Sequence, residues 1–146
     1  MYQNFKSKIS FTVIIYLLFT FCNFSYSQNY ASIGEMEDII NQVLKEDLLT
    51  RFIPKSKIVQ NEKVITREES LANAKFDDGS LISIGPDSSV IIDKWIYDPD
   101  KSLTNGAINL GKGFLRYASS KVGKNKVKLT SNAVTLSLRG TVLDLA

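Results

Sequence analysis

Histidine is absent from this chain, and cysteine occurs once, at Cys22. Those two gaps exclude a Ser-His-Asp triad and disfavour zinc or iron sites built on nitrogen and sulfur ligands. A lone cysteine cannot close an intrachain disulfide, so burial and backbone pairing must hold the fold together. Proline is also scarce, with 3 in 146 residues, and no Pro/Gly/Ser-rich linker divides the chain. One core is expected. An excess of one charge sign is missing as well: 18 basic residues face 15 acidic ones, and Lys6 and Lys8 belong to the N-terminal leader. The chain after the leader is close to neutral, without the basic excess that neutralising nucleic-acid phosphates requires.

The leader itself is informative. Lys6 and Lys8 precede an apolar stretch from Ile9 to Phe24, followed by the small residues Ser25 and Ser27. This is the layout of a secretory signal peptide, residues 1–27, with cleavage between Ser27 and Gln28. The stretch falls short of the ~20 residues that span a bilayer as a helix, so an uncleaved inner-membrane anchor is the second reading. Cys22 follows Phe21, where a lipoprotein signal would place a small residue. A periplasmic or secreted chain without cysteine is therefore expected.

Residues 28–52 read as a lead and an amphipathic helix. Ser32 and Glu35 have the spacing of a capping box, and Ile33, Met36, Ile40, Val43, Leu44 and Leu48 fall on one stripe at helical spacing. The spacing predicts a helix over 33–49. From Ile53 the period drops to two, and residues 53–146 read as a β domain. Two short strands flank Gln60-Asn61, and Ala72, Ala74 and Phe76 alternate with polar neighbours. Asp78-Gly79 is the strongest hairpin signal, and Gly85-Pro86 marks a break before Val90–Ile96. The segment 98–105 reads as a loop. Gly111 and Gly113 mark a bulge or a close backbone approach, and Val134, Leu136 and Leu138 form the cleanest one-face alternation in the chain.

These turns come in a characteristic order: Asn61-Glu62, then Phe76-Asp77-Asp78-Gly79-Ser80, then Gly85-Pro86-Asp87-Ser88, then Gly113-Phe114-Leu115-Arg116-Tyr117, and last Leu138-Arg139-Gly140-Thr141. From about Ile58 to Leu145 the chain resembles the FecR domain family, named for the ferric citrate regulator. The resemblance implies a mainly β fold, either a small β-solenoid-like body or a twisted two-sheet roll. It also implies a non-enzymatic extracytoplasmic domain that binds a protein partner in envelope signalling and uses no cofactor. In membrane-bound members the domain passes a signal from an outer-membrane transporter to a cytoplasmic segment that binds a sigma factor. Here only Met1–Lys8 precede the apolar stretch, too few residues to fold into such a segment, so signalling through another envelope protein is the expectation.

Several residues carry candidate roles. Asp78, Gly79, Ser80, Gly85, Pro86, Gly113, Arg139, Gly140 and Thr141 are read as turn and motif residues, with Arg139 pairing an acid such as Asp93 or Asp144. Trp95, Tyr97 and Arg116 are the candidate partner contacts. Trp95 and Tyr97 share a strand face and could stack on a sugar, or Trp95 could lie in the core. Arg116, Lys121, Lys124, Lys126 and Lys128 read as the flanks and tip of a hairpin, solvated or facing an anionic glycan or membrane surface. The acids Asp77, Asp78, Asp87, Asp93, Asp98 and Asp100 suggest a glycosidase pair or a calcium loop, but no full motif appears and turn chemistry explains most of them. An envelope glycan-binding or adhesion protein is the alternative to the signalling domain.

Overall fold

Leu71–Phe76 shows how this chain makes its strands: Ala72, Ala74 and Phe76 are buried while Asn73 and Lys75 between them turn outward. Period-two patterning of this kind places one face on a core and leaves the other wet. A computed structural model describes residues 31–97, 103–120, 126–138 and 142–146, and in them every regular element is a strand. In order these are β1 (Ser32–Ile40), β2 (Val43–Leu44), β3 (Lys57–Val59), β4 (Glu62–Thr66), β5 (Leu71–Phe76) and β6 (Leu81–Ile84). They continue with β7 (Ser89–Tyr97), β8 (Leu103–Lys112), β9 (Leu115–Ala118), β10 (Val127–Ser131), β11 (Thr135–Leu138) and β12 (Val142–Leu145).

The strands form two six-stranded sheets. The first runs β12-β9-β6-β5-β1-β3 and the second β11-β10-β8-β7-β4-β2. Pairing is antiparallel throughout except between β8 and β10. The parallel stacking of a solenoid is thus confined to one ladder, and the two-sheet arrangement is the one observed. One continuous apolar core is shared by both sheets, from Met36, Ile58 and Phe76 to Ile108, Leu115 and Leu129.

The helix expected over 33–49 is not there: β1 and β2 occupy that segment. Two bulges explain the misleading spacing. Ile33 is the extra residue between the Ser32↔Val59 and Gly34↔Ile58 pairs, and Glu37 is the extra residue between Met36↔Ala74 and Asp38↔Asn73. Each bulge shifts the inward parity by one, so inward residues fall three apart and imitate a helical stripe. Gly34 fits the strand for a further reason: a Cβ there would lie 2.5 Å from the Lys75 carbonyl oxygen. β1 pairs with both β3 and β5, so the segment read as a separate lead is part of the β body. Ser32 and Glu35 form no capping box; Ser32 Oγ donates to the Gly34 carbonyl and Glu35 pairs with Lys57.

One corner carries the chain between the sheets twice, from β6 to β7 and from β8 to β9. Gly85 N–H donates to the Phe114 carbonyl (2.9 Å), Thr66 Oγ1 donates to the Gly85 carbonyl (2.6 Å) and accepts from Ser88 N–H (2.9 Å). Ser88 Oγ donates to the Pro86 carbonyl and accepts from Phe114 N–H, both at 2.9 Å. Gly113 stands against this knot with φ of +89°, and a Cβ there would overlap Ser88 Oγ and lie 2.6 Å from Ser88 Cα. Only glycine fits both the backbone conformation and the space. The expected close approach at Gly113 is observed, and its partner is the Gly85–Ser88 turn.

Candidate interaction surfaces

The motif turns are occupied with holding the fold. Phe76 to Ser80 form a turn closed by Gly79 N–H to the Phe76 carbonyl and Phe76 N–H to the Ser80 carbonyl, with Gly79 at φ +83°. This is the three-residue hairpin in which glycine takes the left-handed position. Ser80 is fully buried; its hydroxyl donates to Asp78 Oδ2 at 2.6 Å, and its amide reaches Asp78 Oδ1. The hydroxyls of Thr66, Ser80 and Ser88 are all buried and hydrogen-bonded within the fold. Among the described residues no cluster of three or more acids, histidines or cysteines could hold a metal ion. Asp98 and Asp100 lie outside the described residues, as do Arg139, Gly140 and Thr141.

Trp95 offers no stacking platform, because it is 2% exposed. It stacks on Phe76 with centroids 3.9 Å apart and meets Tyr117 edge-on at 6.5 Å. The bulge at Asp93, between Ile92↔Ile108 and Lys94↔Ala107, turns Trp95 inward, and Gly106 opposite leaves room for the indole. Tyr97 follows the same parity. Its hydroxyl donates to the Ile33 carbonyl (2.5 Å) and accepts from Asp77 N–H (2.9 Å), tying β7 to the other sheet. Burial, followed by the nearby charges of Asp78 and Asp77, pushes the Tyr97 phenol well above its ordinary range. Burial also raises Tyr117.

Arg116 is engaged as well. Its Nε and Nη2 meet both oxygens of Asp144 at 2.7 and 2.9 Å, a bidentate pair across β9 and β12. The hydrogen-bonded partner lowers the Asp144 carboxyl and raises the Arg116 guanidinium. Asp144, expected as a partner for Arg139, is thus held by Arg116. The basic hairpin expected from Arg116 to Lys128 does not form, since β9 belongs to the first sheet and β10 to the second. Lys126 and Lys128 therefore sit on a different sheet from Arg116, while Lys121 and Lys124 lie outside the described residues.

Pattern reading missed the features that remain available for contact. One is a turn from Lys45 to Phe52. Asp47 Oδ1 accepts from the amides of Leu49 and Thr50, its Oδ2 accepts from the Thr50 hydroxyl, and Leu49 is left 87% exposed. The other is the flank formed by β11 and β12, the outermost strands of the two sheets on one side. Their inward leucines, Leu136, Leu138, Leu143 and Leu145, are only half-buried. Charge is nearly absent there: β11 has none, and β12 has only the paired Asp144.

A family model described as FecR protein matches residues 62–146. No curated protein and no solved structure matches the chain.

Proposed function

Because this chain belongs to the FecR family, whose model covers more than half of it, we propose that it is a non-enzymatic extracytoplasmic domain that acts in envelope signalling by binding a partner protein. Family membership is consistent with a signalling-related domain and is the observation that carries this reading. The contact surface is the β11/β12 flank. Edge strands without lysine or proline, and crossed by none of the described segments, can accept a strand from another chain. Alternating half-buried leucines would give that strand an apolar side to meet.

The leader supports export, with Gln28 as the first residue of the processed chain. Intact-mass analysis of the envelope fraction should find that N-terminus; full-length protein confined to the membrane pellet would establish the anchored form instead. Crosslinking in the intact envelope followed by immunoprecipitation should recover an extracytoplasmic protein through residues of β11 or β12. Direct recovery of a sigma factor would overturn the proposal.

A further inference from the structure

The outer face of the second sheet collects cations that have no acid partner among the described residues. β7, β8, β10 and β11 neighbour one another in that sheet's order, and together they carry one acid, Asp93, at the bulge beside Lys94. Lys94, Ala107 and Lys128 stand in one cross-strand row, with Ser137 as its outer neighbour. Strand spacing places the Lys94 and Lys128 backbones ~9.5 Å apart, over the small side chain of Ala107. In the next row Asn105 lies beside Lys126, whose carbonyl accepts from Gly106 N–H. Asn105, Lys126, Lys128 and Ser137, together with Val127 and Leu138, line a shallow cleft of about 400 Å³ at the end of this ladder.

The β2/β3 side is the opposite case. Lys45, Lys57 and Lys63 each face a glutamate there, at 2.5, 2.9 and 3.9 Å. Lys94, Lys126 and Lys128 enter no ion pair among the described residues, so this face projects positive potential. We infer that it binds an extended anionic polysaccharide, with the three lysines meeting its acidic groups and Asn105 and Ser137 available to its hydroxyls. An open sheet face with long flexible cations and a shallow cleft suits an extended polymer better than a compact ligand, which needs an enclosing pocket. The site occupies the outer face of the sheet, not its open strand edge, and does not use the buried Trp95.

The test uses the processed protein and soluble polygalacturonate, with uncharged dextran as control and vesicles of phosphatidylethanolamine and phosphatidylglycerol as the membrane arm. Polygalacturonate should bind, weaken steeply as salt rises, and lose about tenfold or more in affinity in the Lys126→Glu/Lys128→Glu double variant. The milder Lys126→Gln/Lys128→Gln variant should lose less, and Lys55→Glu, elsewhere on the surface, should bind like the parent. Circular dichroism confirms that each variant is folded. Equal binding of dextran, binding to vesicles alone, or affinity indifferent to the double charge reversal would each overturn the inference.

Discussion

The two flanks of this sandwich are built from similarly short edge strands yet end in opposite states. On the β2/β3 flank the inward side chains are fully covered: Val43 is 1% exposed, Leu44 3% and Ile58 0%. Phe52 folds back over β2 through its amide to the Val43 carbonyl, and Lys45 bridges Glu62 while lying 4.8 Å from the Phe52 ring. On the β11/β12 flank the inward leucines stay half-buried because no described segment crosses them. Edge strands are thus safe or sticky according to what the connecting chain does, and their own alternation does not decide it.

The largest expected effect is on the closed flank. Ile58→Ala should destabilise the protein by about 2–5 kcal/mol in urea unfolding, because it deletes a fully buried side chain whose surroundings are packed on every side. Glu62→Ala should come next at about 1–3 kcal/mol, since it strips Lys45 of its partner and leaves Val59 N–H without its acceptor. Leu136→Ala should cost only about 1 kcal/mol, as its side chain is only partly buried, and Thr135→Ala beside it should stay within about 0.5 kcal/mol. If Leu136→Ala proves as damaging as Ile58→Ala, the open flank is covered in solution and the comparison fails.

A smaller effect lies between the flanks, at the Tyr97 strut. Its folded-state pKa is raised above the unfolded value. The corresponding stability is therefore complete below the ordinary tyrosine pKa of about 10 and is lost as pH climbs from there toward the raised folded value. Alkaline unfolding monitored by tyrosinate absorbance should show Tyr97 and Tyr117 ionising late, with the unfolding itself. Tyr97→Phe should flatten that alkaline slope. The smallest change is expected for Asp144→Asn on the open flank. Its ion pair with Arg116 is solvent-exposed, so thermal midpoints with and without the substitution should converge as salt is added.

Much of the body was legible in the residues. Strands β5, β6 and β9 follow their alternation, and the hairpin at Asp78-Gly79 sits where a left-handed glycine was expected. The FecR resemblance agreed with the family match over 62–146. The helix misreading has a local cause. The bulges at Ile33 and Glu37 made a strand look helical, while the bulge at Asp93 decided between the two readings of Trp95 by turning it into the core. A bulge is a property of two strands in register, and one strand's residues do not announce it. Val134, in the cleanest alternation of the chain, is 44% exposed and lies outside β11, for alternation reports which way a side chain points and not whether anything lies above it.

By itself the sequence determined the class of this protein: an all-β body without disulfides, a family, and turn glycines that fix where the chain reverses. Those are local consequences of side-chain volume, backbone freedom and charge. Tertiary structure alone decided that residues 32–44 belong to the body, that Arg116 answers Asp144, and that Lys45, Lys57 and Lys63 face glutamates. It also decided that one flank is covered while the other is left open by the described residues. Each of these depends on which distant strand arrives alongside, and that choice is made by the core as a whole, through contacts between residues far apart in the chain.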